Sequence, residues 1–272
     1  MAQGRETVGR RLRWLNLVAR IGHVGKGVVY IVMGIAALLV TLLGVGEPTG
    51  SRGAMKILRD EPFGEMMVAA VAVGLGCYSA WRWIQLFRDP TVRSRNRLKR
   101  FGLRMNFFIS AAAHTALAVT AVTLVLGLPG IDDDDAQEWA ATLLAQPAGF
   151  VLVFLVGVGF VGAAIGEMVN ALRGGYRKRL DLERLGRKRR GALNTTAVWG
   201  LVSRGVVFAI IGVLFMIAAV TYDPQRAGTV PEALMLLHRQ MYGPWLMGVI
   251  AAGLLCYGLL QLVIAGYRRV EG

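Results

Sequence analysis

Apolar residues come in six long stretches, separated in turn by short polar segments and by strongly basic ones. The stretches run over about 24–46, 63–87, 105–128, 148–171, 198–221 and 243–266. Each reaches the ~20 residues that cross ~30 Å of hydrocarbon at a rise of ~1.5 Å per residue. The runs do not alternate with period two, which excludes the strands of a membrane barrel. Helices are then the remaining way for a spanning segment to satisfy its own backbone in lipid. The pattern predicts an all-α membrane protein with six transmembrane helices.

The six stretches form three copies of one unit: span, polar loop, span, basic segment. Gly22-His23-Val24-Gly25-Lys26-Gly27-Val28-Val29-Tyr30 matches Gly200-Leu201-Val202-Ser203-Arg204-Gly205-Val206-Val207-Phe208. Further on, Gly74-Leu75-Gly76-Cys77-Tyr78 matches Gly253-Leu254-Leu255-Cys256-Tyr257. The middle copy is diverged, but it keeps Pro147-Ala148-Gly149 opposite Pro62-Phe63-Gly64 and Gly159 opposite Gly74. A repeat of this kind decides the architecture. It predicts three tandem helical hairpins, all oriented alike, with pseudo-threefold symmetry about the membrane normal. The organisation read from the chain is a basic N-terminal segment (1–21), repeat 1 (22–90), a basic linker (91–104), repeat 2 (105–173), a second basic linker (174–197), and repeat 3 with the tail (198–272).

Charge adds an orientation. Apolar residues make up 55% of the chain and charged ones 18%, yet the net charge is +14. Of the 31 lysines and arginines, 26 fall on the side that carries both termini and both linkers. Lys/Arg bias in short loops places that side in the cytoplasm, so the expected location is a bacterial cytoplasmic membrane with both termini inside. The basicity is then a topology signal, and nucleic acid is not an expected partner. The first apolar stretch is too long for the core of a cleaved signal and lacks a small-x-small site. Val8 to Ile21 and Arg177 to Arg190 mix leucines with cations, as helices lying among headgroups do. Expected partners are anionic lipid headgroups on the cytoplasmic side, with other membrane proteins as a second class of partner.

Packing between spans is expected to use small residues, because lipid removes the hydrophobic drive for helix association. Gly162-x-x-x-Gly166, Ala70-x-x-x-Gly74 and Gly253 lie on second helices, which predicts those three helices at the centre. Cys77 and Cys256 occupy equivalent positions without metal-ligand spacing and read as structural.

Polar residues inside the spans are the candidate site. Arg82, Glu167 and Gln261 share one register, eight residues after Gly74, Gly159 and Gly253. On converging helices they would form a polar ring in which Glu167 pairs with Arg82; on separate helices they are interfacial residues reaching for headgroups. His114 lies mid-helix on the most polar span, where it is either a titratable relay group or a histidine bonded to a neighbour. Lys26 and Arg204, equivalent in repeats 1 and 3, read as contacts to lipid phosphates. Asp132 to Asp135 lack the spacing and turn glycine of a calcium loop. No phosphate loop, zinc motif, nucleophile–base pair or haem ligation pattern is present, so neither a metal nor a cofactor nor an enzymatic activity is expected.

The triple hairpin, the Gly-x-x-x-[Lys/Arg]-Gly-Val-Val-[Tyr/Phe] opening, and the run from Pro62-Phe63-Gly64 to Gly74-Leu75-Gly76-Cys77-Tyr78-Ser79-Ala80-Trp81-Arg82 resemble one membrane family common in actinobacteria, the domain of unknown function 1206. The resemblance spans about Val18 to Tyr267 and implies the same fold. It implies no activity, ligand or catalytic residue. The middle repeat departs from it, with Ser110-Ala111-Ala112-Ala113 at the opening. Two function classes stand. One is a non-catalytic scaffold or interaction protein; the other is a small-solute or ion transporter with a pathway along the repeat axis.

Overall fold

The computed structural model describes residues 2–88, 97–128, 135–181 and 186–268. Nine α-helices lie among them: α1 (Ala2–Leu43), α2 (Ser51–Asp60), α3 (Gly64–Arg88), α4 (Arg97–Val125), α5 (Asp135–Leu144), α6 (Gly149–Leu172), α7 (Arg187–Thr221), α8 (Val230–His238) and α9 (Gly243–Tyr267). Six are long and apolar enough to span a membrane: α1, α3, α4, α6, α7 and α9. The first span continues without a break from the basic N-terminal segment, so Val8 to Ile21 is the lower part of a 42-residue helix and not a separate surface helix.

The expected polar loops hold short helices instead. Each repeat is a long helix, a short one (α2, α5 or α8), and a second long helix. For α8 the cause is local: the Thr229 backbone N–H donates to the Glu232 carboxylate at 2.6 Å, and Pro231 sits in the first turn, where a missing N–H costs nothing. The run Asp132 to Asp134 lies outside the described residues. The chain re-enters the bundle through a glycine in every repeat. A Cβ on Gly64, Gly149 or Gly243 would fall within 2.0, 1.7 or 1.7 Å of a carbonyl of the short helix before it. At the basic end, the chain after α6 makes a short 3₁₀ turn (Gly175–Arg179), and Leu180 then bridges to Arg268. Tyr176 and Leu180 are buried there, so this stretch packs on helix ends and does not lie on the membrane surface; residues 182–185 are not described.

The second helices do not gather at the centre. The principal contacts run α3 to α4, α6 to α7, and α9 to α1, so the second helix of each repeat packs on the first helix of the next, and the third repeat closes on the first. This is a cyclic, threefold pattern. Its contact points share one register on the first helices: Gly27, Ala111 and Gly205, then Gly34, Ala118 and Gly212 one heptad later. A Cβ on Gly34 would meet the Leu255 nitrogen at 2.7 Å, and one on Gly212 the Gly157 carbonyl oxygen at 2.7 Å. In lipid, such backbone-to-backbone approach is what holds helices together.

Within a repeat, a second pair of small positions docks the hairpin on itself. Gly25 and Gly74 meet at 2.7–2.8 Å from the Cβ each lacks, Gly22 would press on the Tyr78 backbone at 2.6 Å, and Gly200 on the Tyr257 nitrogen at 2.5 Å. The middle repeat has Asn106 and Ile109 at the registers of Gly22 and Gly25. There α4 and α6 form no packed interface, and a Cβ on Gly159 would find the Ile109 side-chain tip at 3.9 Å as its nearest neighbour. The ring is therefore open along one seam.

Two stability predictions follow from these contacts. Gly34→Leu should destabilise the purified protein by the ~1–3 kcal/mol of an overpacked core, read as a lower thermal midpoint, while Gly76→Leu, with open space around the new side chain, should not; equal midpoints in the two variants would contradict the packing. Gly149→Ala should abolish monodisperse protein in detergent, and normal size-exclusion behaviour of that variant would show that the turn tolerates a Cβ.

Candidate functional site

All six spans send polar or aromatic side chains to one buried cluster. On the first helices of repeats 1 and 3, a cation is followed four residues later by an aromatic residue: Lys26 and Tyr30, Arg204 and Phe208. That spacing stacks the two on one helix face. On the second helices, Tyr78 precedes Arg82 and Tyr257 precedes Gln261 by the same step. Counted from the short-helix ends of their spans, the two tyrosines lie ~21 Å along, Lys26 and Arg204 ~26 Å, and Arg82, Glu167 and Gln261 ~27 Å. The cluster thus occupies the basic half of the hydrocarbon slab.

Lys26 is at its heart and is 3% exposed. Its ammonium donates to the Tyr78 hydroxyl at 3.2 Å and lies 4.6, 5.5 and 5.9 Å from the ring centroids of Tyr78, Tyr257 and Tyr30. Arg82 donates to the same Tyr78 oxygen at 3.0 Å through Nε and to Gln85 at 3.0 Å, with its guanidinium over the Phe107 ring of α4. Arg204 is ion-paired with Glu167 and donates to the Tyr30 hydroxyl at 2.9 Å, stacking on Phe208 and Tyr257. Aromatic faces and phenol oxygens solvate a cation only in part.

Histidines extend the cluster. His23 Nδ1 donates to the Gln261 side-chain oxygen at 2.7 Å, and its other nitrogen lies 3.4 Å from Arg268. His114 Nδ1 donates to the Ser110 carbonyl of its own helix at 2.7 Å, with its ring 4.4 Å from that of Tyr78. Arg20, one turn before His23, keeps a buried Nε with no hydrogen-bond partner among the described residues.

The structure brings Arg82, Glu167, Gln261 and His114 around one centre, but with different pairings from those expected. Glu167 pairs with Arg204, and Arg82 turns to Tyr78. Lys26 and Arg204, expected at the lipid surface, are buried between helices. The reason is shared: in the cyclic arrangement, a first helix turns its cation inward between two second helices. His23, Tyr30, Tyr78 and Tyr257 lie in the matched repeat motifs but were not among the candidate site residues read from sequence. For Tyr30, Tyr78 and Tyr257 the signal was an aromatic residue recurring one turn from a charged or amide residue in matched repeats; His23, with Leu201 at its register in repeat 3, carried no such signal. Cys77 and Cys256 are free and half-buried outside the cluster. Among the described residues, no group of three His, Cys, Asp or Glu side chains could hold a metal ion.

Two features give the site its chemistry. Three buried or half-buried cations, Lys26, Arg82 and Arg204, face one ion-paired carboxylate, Glu167, among the described residues. The repeats are also unequal, since Ser110 and Ala163 stand at the registers that hold Lys26 or Arg204 and Tyr78 or Tyr257 in the other two. The middle repeat contributes the acid and the least bulk. Such a centre can accept an anion.

The chain is similar to the "Uncharacterized protein YxxB" of Bacillus subtilis (strain 168), with 28% identity over 257 residues that cover 94% of this chain and 92% of that one. That likeness carries no actinobacterial source. No solved structure matches the chain. The repeat unit read from the sequence is matched three times in succession, over residues 21–88, 105–174 and 199–268, and the chain belongs to the family described as Domain of Unknown Function (DUF1206).

Proposed function

We propose that the protein is a multi-pass protein of the bacterial cytoplasmic membrane that binds an anionic ligand at its buried cationic centre. Of the two classes open from sequence, this favours the ligand-handling one over a passive scaffold and needs no catalytic residue. The supporting observation is Lys26, 3% exposed and without a carboxylate partner among the described residues. A charge held in hydrocarbon without a counter-charge is costly, and a bound anion removes that cost. Lysine and arginine together are the usual receptors for phosphate-type groups, the first as a point charge and the second as a two-pronged donor. With 26 of 31 basic residues on one side, the Lys/Arg rule puts that side in the cytoplasm, and the centre then lies nearer the cytoplasmic face.

The acid sets a threshold in this reading. Glu167 holds Arg204, so an incoming anion competes with it. Glu167→Gln frees a guanidinium for charge-assisted bonds worth ~1.5–3 kcal/mol, and anion affinity should rise roughly tenfold, a gain of about 1.4 kcal/mol. Arg204→Met leaves Glu167 half-buried and alone, which should cost at most about 3–5 kcal/mol of stability; Arg204→Met with Glu167→Gln should recover most of it in thermal melts.

The direct test uses purified protein in neutral detergent, with inorganic phosphate and short-chain phosphatidylglycerol as separate probes. At a hundredfold excess over Kd, binding adds about 2.7 kcal/mol, read as a rise of several degrees in the thermal midpoint. At least one probe should stabilise the wild type and fail with Lys26→Met and Lys26→Gln. Stabilisation by neither probe, or an equal shift in both variants, would overturn the reading.

A further inference from the structure

We infer that the ligand is an anionic phospholipid, which enters sideways through the seam between α4 and α6 and places its phosphate on the cationic centre. This rests on the anion-binding reading above and adds the ligand's chemical class and its route.

The opening is written into the middle repeat. In repeats 1 and 3 the two helices of a hairpin meet backbone to backbone, at Gly25 with Gly74 and at Gly200 with Tyr257. Asn106 and Ile109 prevent the same contact between α4 and α6, and the ring that is closed by packing elsewhere is not closed there. The glycine that would have received α4 is retained: Gly159 sits on α6 with the Ile109 tip 3.9 Å from its missing Cβ. Apolar side chains on both flanking helices are exposed, including Ile109 on α4 and Leu155 and Val158 on α6. In a bilayer, those surfaces meet acyl chains.

The polar end of the seam matches a headgroup. Glu167 and Arg204 form the ion pair of the cluster and keep 19% and 10% side-chain exposure, and Glu167 belongs to α6. Phe107 and His114 of α4 touch Arg82 and Tyr78. At the registers of the missing cation and tyrosine, the middle repeat offers Ser110 and Ala163. A phosphate arriving here displaces Glu167 from Arg204, while its acyl chains lie along the exposed apolar faces of α4 and α6. A soluble anion would have no use for an apolar seam, and an uncharged lipid none for three cations. The depth agrees as well, since the cluster lies in the basic half of the slab, within reach of a headgroup from the nearer leaflet.

The test compares wild type, Gly159→Leu and Lys26→Met as full-length proteins in neutral detergent. Native mass spectrometry would count retained phosphatidylglycerol against phosphatidylcholine, and thermal midpoints would be read with inorganic phosphate. A leucine at 159 fills the seam and favours the helix more than glycine does; Ala163→Leu replaces it if the first variant does not fold. Selective retention of phosphatidylglycerol by the wild type, reduced at least tenfold in both Gly159→Leu and Lys26→Met, supports the proposal. Retention lost in Lys26→Met but kept in Gly159→Leu overturns the seam and leaves the anion centre standing. Stabilisation by inorganic phosphate with no preference between the two lipids overturns the lipid and leaves a soluble anion. Equal behaviour of Lys26→Met and wild type towards every probe overturns both readings.

Discussion

The arrangement depends on how closely two helix backbones can approach in a medium that gives no hydrophobic reward for association. Without that drive, contact energy comes from dispersion between surfaces brought to van der Waals distance, and a single Cβ in the wrong place removes it. The chain meets the constraint with two registers of small residues on its first helices. Positions 27 and 34 and their equivalents face the neighbouring repeat, and positions 22 and 25 face the helix's own partner. The first register is kept small in all three copies, and the ring follows from it. The second is kept in two copies, and the seam follows from its loss in the third.

The same geometry explains a buried set of cations. A helix that packs on both sides turns its remaining inward face to the centre, and there Lys26 and Arg204 have no route to headgroups. Tyrosines take over part of the solvation, with Tyr78 accepting from Lys26 and Arg82 together and Tyr30 accepting from Arg204. The arrangement is still rich in positive charge, because Glu167 answers one guanidinium. The excess is tolerable in an apolar slab when a counter-charge is bound, and that electrostatic argument is the ground for proposing an anion at the centre.

Divergence of the middle repeat ties the two features together. Ser110 replaces a cation, Ala163 a tyrosine and Glu167 a neutral or basic partner, while Asn106 and Ile109 replace the docking glycines. Each exchange alone would weaken the threefold unit. Together they produce one side of the ring that is open, less crowded and acidic. A strictly symmetric trimer of hairpins would have a closed centre with three equivalent cations and no route to it from lipid.

Six spans, three repeats in register and the shared level of Arg82, Glu167 and Gln261 were legible in the sequence, because apolar length and repeat register are properties of a chain read along one dimension. The identity of each helix's neighbour was not. Glycine stripes on the second helices pointed to a centre made of those helices, yet a small residue permits close approach without saying to whom. The same glycine can serve a hairpin partner or the next repeat. That choice depends on all the faces being satisfied together, so Glu167 found Arg204 and not Arg82, and Lys26 came to lie among tyrosines. Tertiary packing decided these pairings, because they are fixed by steric fit between surfaces far apart in the chain.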